Sequence, residues 1–205
     1  MAKLNVGVIC LMLFSLLLSL CSVINAENSG KSLPFLKTKV VGAHLKLSKL
    51  HFYVQDIAGG DNPTVYEVAR ASITGNSSSR FGQVKVMDHL ITAEADQASA
   101  VVGRVQGLIT SADLEVMGFA TNLNFYFTMG DYNGSTISIV GRNEIGQATR
   151  ELPVVGGTGL FRFATGYSLS STYSYDAATS HSVIEYTFYV KTAGARLKNI
   201  EHEFL

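Results

Sequence analysis

The sequence predicts an all-β fold, an eight-stranded antiparallel up-and-down β-barrel, and three observations predict it. Apolar residues recur with period two, turn-forming residues cluster at short intervals, and helical signals are nearly absent. About eight twisted strands without disulfides must dispose of their edges, and closure into a barrel does so completely. An eight-stranded barrel also has room for one small ligand. A β-sandwich shares the same patterning and is the alternative architecture.

The elements follow in order. Residues 1–26 read as a signal peptide: Lys3 gives a positive start, Val8 to Leu20 an apolar stretch, and Ile24-Asn25-Ala26 a small-residue cleavage site. A membrane anchor is the rival reading, but the uninterrupted apolar run falls short of the roughly 20 residues a spanning helix needs. The expectation is therefore secretion. Residues 27–48 contain Lys, Ser and Pro34 with little periodicity and read as a flexible arm, with Val40 and Val41 as an alternative edge strand. The barrel domain is expected over 49–190 and a C-terminal tail over 191–205.

Within 49–190 the alternating residues are Leu50, Phe52 and Val54, then Val84 and Val86, then Leu123, Phe125 and Phe127. Ile137 and Ile139, Phe161 and Phe163, and the run Ser182, Ile184, Tyr186, Phe188, Val190 complete the set. Turns fall at Gly59 to Pro63, Gly75 to Ser78, Gly130 to Gly134 and Gly156 to Gly159. Only Ala93 to Ala100 and Ser111 to Glu115 resemble helices, and both are short. The Gly156-Gly-Thr-Gly159 segment has no Gly-Lys-Ser/Thr after it and fails the dinucleotide pattern at Arg162, so it reads as a hairpin turn and not a phosphate cradle.

Charge and composition exclude several functions. Lys and Arg total 16 against 16 Asp and Glu, which gives no basic field for nucleic acid or an anionic membrane. Both cysteines, Cys10 and Cys21, lie in the leader, so the domain stands on packing and strand pairing alone. The five histidines, His44, His51, His89, His181 and His202, lack zinc-ligand spacing, and no metal or cofactor is expected. No nucleophile elbow or evident triad appears. Asn76-Ser-Ser and Asn133-Gly-Ser are open glycosylation sequons, whereas Pro63 blocks Asn62. Several strands are apolar on both faces, including Val183 and Tyr189 opposite the Ile184 to Val190 run, so a second copy of the chain is expected to cover the outer face.

Three polar residues carry the candidate chemistry. Asp56 is in phase with Leu50, Phe52 and Val54, so a strand continuing through Gln55 points its carboxyl inward, where partial desolvation makes it a candidate proton donor. If the strand ends at Val54, Asp56 instead opens a turn. Arg150 shares its parity with Leu152 and Val154, and Asn143 with Ile137 and Ile139. An inward guanidinium stabilises developing oxyanion or phenolate charge, and a structural ion pair with Glu151 is its alternative role. Asp88, in register with Val84 and Val86, reads as an inward acid anchoring backbone. The aromatics are mostly core, with a subset available to line a pocket for planar ligands.

Taken in order, Leu50-His-Phe-Tyr-Val-Gln-Asp56, Phe81-Gly-Gln-Val-Lys-Val-Met-Asp88, Val102-Gly-Arg-Val-Gln-Gly107 and Asn124-Phe-Tyr-Phe-Thr128 resemble the plant dirigent family. Tyr132-Asn-Gly-Ser-Thr136, Gly141-Arg-Asn143 and Arg150 to Gly159 continue the resemblance, which runs from about Leu50 to Val190. It implies an eight-stranded barrel, a homotrimer, secretion to the plant cell wall space and stereochemical control of phenylpropanoid chemistry. It also implies a phenolic small-molecule ligand. In lignan-forming members a separate laccase or peroxidase supplies phenoxy radicals, and the dirigent protein orients their coupling. Other members close a quinone methide directly, as in dehydration of isoflavanols to pterocarpans.

The resemblance matches Asp56 to the family's acid on its first strand and Arg150 to its arginine before the Val-Val-Gly-Gly segment. Phe52, Asn143 and Asn124 are the expected substrate-binding residues. Asn143 departs from the aspartate of lignan-forming members, which removes one acid and speaks against bis-lignan coupling. Gln55 stands where His is common and Thr165 where Arg is common, and the domain lacks the cysteine pair of that branch. Two functions follow, a guide that orients a reactive intermediate and an enzyme that accelerates its formation and closure. A wall-associated structural or defence protein is the third.

Overall fold

A computed structural model describes residues 45–193. The expected signal peptide lies outside the described residues, as does most of the expected arm and tail. Nine antiparallel strands form one sheet: β1 (Leu45–Ile57), β2 (Val65–Ala69), β3 (Val84–Thr92), β4 (Val101–Ser111), β5 (Gly118–Phe127), β6 (Thr136–Glu144), β7 (Arg150–Thr158), β8 (Thr165–Asp176) and β9 (His181–Ala193). Neighbours in sequence pair from β2 through β9, and β9 pairs with β1. The ring closes where Tyr53, Val54 and Gln55 of β1 meet Thr92, Ile91 and Leu90 of β3.

That closure makes an eight-stranded barrel out of nine strands. The other half of the same β3 edge is taken by β2, with Val65 opposite Met87 and Tyr66 opposite Val86, so β1 and β2 share one place in the ring. The short β2 carries little signal in the sequence, because Val65 and Val68 flank Tyr66 and Glu67 and supply little alternation. β1 begins at Leu45, inside the segment expected as an arm, because Leu45 to Ser48 pair with Ala193 to Val190 of β9. The same pairing carries β9 three residues past Val190.

The core is the inside of the barrel. Phe52 and Val54, Val105, Leu123, Phe125 and Phe127, Ile137 and Ile139, Leu152 and Val154, and Phe188 and Val190 form one buried cluster. Alternation is strict on β5, whose odd-numbered residues from Phe119 to Phe127 are buried and whose even-numbered ones from Ala120 to Tyr126 are exposed.

Three sequence expectations are corrected. The inward phase of β3 is Met87, His89 and Ile91; Val86 is exposed, and Asp88 faces outward, where Arg104 Nε donates to its Oδ1 at 2.6 Å. Phe161 and Phe163 are not strand: Gly159–Phe161 is a 3₁₀ turn that buries Phe161, and Phe163 has φ 58° and is 70% exposed. Gly156 and Gly157 belong to β7, where a bulge shifts the register against β6, and a Cβ on Gly157 would meet Thr136 O at 2.3 Å.

The two helix-like segments are not helical: 93–100 is a turn, and Ser111 ends β4 before a bend over 114–116. Residues 93–100 close through Ala93 N–H to Ala100 O, and the Ala95 carbonyl accepts a bond from Gln55 Nε2. Gln55 is fully buried on the outer face of β1, held also by Thr92 Oγ1 and by His181 Nε2. Among the described residues the only helical elements are the 3₁₀ turns Thr74–Asn76, Gly130–Tyr132 and Gly159–Phe161.

Candidate active site inside the barrel

The two ends of the barrel interior differ in chemistry. One end is filled by aromatic rings: Phe127 lies 5.6 Å from Phe161, which stacks on Tyr132 at 5.3 Å. Phe52, Phe125 and Phe188 form the layer beneath, with centroids 4.9–5.7 Å apart. Toward the other end the inward residues turn polar, and strand direction brings them together. Asp56 stands near the end of β1, Asn143 near the end of β6, Arg150 opens β7, and Thr121 is near the start of β5.

The register aligns part of this end into a row. Arg150 on β7 is opposite Ser170 on β8, Ser170 is opposite Tyr186 on β9, and Tyr186 is opposite Phe52 on β1. Arg150 is 7% exposed, and burial lowers its affinity for its proton while Tyr186 counters that effect. Burial pushes the Tyr186 phenol up, and Arg150 and the Ser170 hydroxyl pull it back. Tyr186 therefore stays protonated.

Five polar atoms here are buried without a hydrogen-bond partner in the protein: Asp56 Oδ1, Thr121 Oγ1, Asn143 Oδ1, and Arg150 Nε and Nη2. An unpartnered buried polar group costs about 1–3 kcal/mol, and a charged one more. The set includes a donor pair and several acceptors on the inner face, so it suits a polar ligand that satisfies them. No Arg150–Glu151 pair accounts for the guanidinium, since Glu151 points outward and is exposed.

Asp56 is inward, as its phase requires, because β1 runs through Gln55 to Ile57. Its side chain is 29% exposed and lies 3.6 Å from His89 Nε2. His89 is 2% exposed, and its Nδ1 is 2.6 Å from Thr64 Oγ1. Burial pushes the His89 imidazole below its ordinary range, with Asp56 and Asp88 pulling it up and Arg104 pushing it further down.

Asp56, Asn143, Arg150 and Phe52 thus all face the interior. Asn124 does not join them: it lies on the exposed side of β5 and accepts a bond from Ser138 Oγ at 2.6 Å. Its neighbours Leu123 and Phe125 hold the inward positions. Phe52 is a packed wall beside Tyr186 more than a free contact surface, being 3% exposed among four other rings. His89, Tyr186 and Ser170 join the site without having been singled out for it. Met87 and Ile91 flank His89 with period two, a signal that competed with Val84 and Val86 on the opposite phase.

Both sequon asparagines, Asn76 and Asn133, are exposed in turns. A groove of about 440 Å³ lies on the outer face of β4–β6, lined by Leu108, Thr110, Ala120, Asn122, Val140 and Arg142, and does not reach Asp56 or Arg150.

Comparison with known proteins places the whole barrel. The Dirigent-like protein family model matches residues 47–191. Dirigent protein 11 of Arabidopsis thaliana is 42% identical over 176 residues, covering 86% of this chain and 88% of its own. Pterocarpan synthase 1 of Glycine max is 39% identical over 146 residues, covering 71% and 78%. Two solved structures of pterocarpan synthase dirigent proteins are similar, each at 38% identity, with TM-scores of 0.68 and 0.67. They cover 76% and 75% of this chain, and 100% and 88% of their own. With the closed barrel, the chain belongs to the dirigent family.

Proposed function

We propose that the barrel binds a phenolic benzylic alcohol and directs its dehydrating ring closure through a quinone methide. The observation that carries this reading is the inward Asp56 and Arg150 at the polar end of an aromatic interior, with Asn143 where a second acid would stand. Similarity to pterocarpan synthases in sequence and in structure supports it.

The substrate reacts as its phenolate beside Arg150. Asp56 takes the phenol's proton as the phenolate forms and gives it to the departing hydroxyl, the C–O bond breaks, water leaves, and the phenolate electron pair forms the quinone methide. A second phenol of the same molecule then attacks the methide carbon and returns its proton to Asp56. Arg150 stabilises the phenolate that re-forms. Handedness comes from the shape of the site around Asp56 and Arg150, and a selectivity of ~10:1 needs only about 1.4 kcal/mol between competing transition states.

Purified protein incubated with a hydroxyisoflavanol and no oxidase is expected to accelerate loss of substrate and give one enantiomer. Selectivity that appears only with coniferyl alcohol and a laccase would replace this reading with a radical-coupling guide. Absence of selectivity in both assays would leave a protein without its own chemistry.

The protein is further proposed to be a homotrimer, since Leu108 and Val140 together with Val86 and Tyr126 expose apolar surface along β3–β6, and to be secreted, on the leader pattern of residues 1–26. Light scattering of the purified domain at the mass of a single chain would refute the assembly.

A further inference from the structure

The geometry points to His89 as the positioning residue for Asp56. Asp56 and His89 sit side by side on β1 and β3, since Gln55 is opposite Leu90. The carboxylate oxygen nearest the ring, Oδ1, is the one buried without a hydrogen-bond partner, and His89 Nε2 stands 3.6 Å from it.

The imidazole is held from behind. Thr64 Oγ1 accepts the Ile57 N–H at 3.2 Å and lies 2.6 Å from His89 Nδ1, against 3.4 Å from the Ile57 carbonyl. Its single proton goes to the nearer acceptor, Nδ1, so Nε2 carries the hydrogen and presents it to Asp56. Thr64 is itself fixed, because its N–H donates to Ile57 O at 2.8 Å and its carbonyl accepts from Asp88 N–H at 2.9 Å. A chain from Thr64 through His89 to Asp56 thus ends at the barrel interior. Its chemistry fits a carboxyl that must present the same oxygen when it releases a proton and when it takes one back.

The inference rests on Asp56 acting as the acid of the proposed reaction. The charged groups that act on the ring are Asp56 and Asp88 and, from β4, Arg104. Asp88 and Arg104 pair with one another outside the barrel, which leaves Asp56 as the charge that His89 faces within it.

Ring nitrogen NMR of the whole protein tests the link without any substrate. His89, identified by its loss in His89→Gln, is expected as the Nε2–H tautomer at pH 7, and its titration midpoint is expected to fall in Asp56→Asn because an anion is removed. An Nδ1–H tautomer, or a midpoint unmoved in Asp56→Asn, would overturn the inference.

Kinetics supplies the second arm. His89→Leu is expected to lower kcat/KM by about 10-fold or more, in the range of an acid-base contribution. His89→Gln, which retains an N–H donor, should recover most of that loss and folds with one hydrogen bond in place of the other. Adding His89→Leu to Asp56→Asn should cost nothing further, because the two act as a unit. A full additional loss in the double variant would make His89 independent of Asp56. Inactivity of the wild type on every phenol would defeat the proposed function, and the NMR outcome would still decide the pairing.

Discussion

Arg150 and Tyr186 stand in one row across three neighbouring strands, joined through Ser170, and each shifts the other's protonation inside the barrel. The guanidinium keeps Nε and Nη2 unpartnered in a buried place, an arrangement that packing alone does not reward. It is retained at a cost to stability, as functional groups often are.

Replacement of Arg150 by Met should therefore separate stability from activity. The variant is expected to melt at the wild-type temperature or a few degrees above it, because a buried unpaired charge is replaced by an apolar side chain of similar length. Turnover is expected to fall about 100-fold, the scale of losing one donor to a developing oxyanion. Thermal unfolding and chiral product analysis read the two effects. A stability loss of several kcal/mol would show that Arg150 is a structural ion.

The same substitution should move Tyr186. Because Arg150 holds the phenol down against burial, Arg150→Met is expected to shift the ultraviolet titration of Tyr186 to higher pH. An unchanged titration would place the two groups in separate environments.

Asp56→Asn keeps the shape of the acid and removes its proton. Rate and enantiomeric excess should both drop, with rate falling 100-fold or more. If rate is lost while enantiomeric excess persists, the barrel wall alone sets handedness. If neither changes, the acid has no role in the reaction.

Phe52 and Asn124 make opposite predictions. Phe52→Ala removes a ring that packs against four others, at a cost of about 3–5 kcal/mol in urea unfolding. Asn124→Ala affects an exposed side chain bound, among the described residues, only to Ser138, so stability should change by less than about 0.5 kcal/mol and product profile not at all. A changed product profile in Asn124→Ala would bring the outer face of β5 into the reaction.

His89 gives a pH dependence of stability. Its imidazole is held below the ordinary value, chiefly by burial, so between that value and the lower folded one the unfolded chain binds the proton that the folded chain resists. Stability should therefore fall as pH drops below the ordinary histidine range, and His89→Gln should flatten the fall. Urea midpoints between pH 7 and pH 5 measure it; parallel curves for the two proteins would contradict it.

The sequence by itself determined the antiparallel strands and the inward face of most of them, and it did so through period two; closure into a barrel rather than a sandwich is decided by the pairing of β1 with β3. Leu123, Phe125 and Phe127, Ile137 and Ile139, and Tyr186, Phe188 and Val190 all bury the face their spacing assigns, because a pleated strand gives every second residue the same environment. Parity likewise placed Asp56, Asn143 and Arg150 inside, since each continues an apolar series on its own strand. It failed on β3, where Val84 and Val86 offer one phase and Met87 and Ile91 the other; which one faces inward depends on closure against β1, a contact distant in sequence. It failed also at Phe163 and at Gly156, where a left-handed residue and a bulge break the repeat.

Only the tertiary structure decided that Arg150, Ser170 and Tyr186 form a row and that Asp56 meets His89. Alternation fixes which face of a strand a side chain takes, but its height in the barrel relative to a neighbour is set by register, and register follows from closure of the ring at β1 and β3.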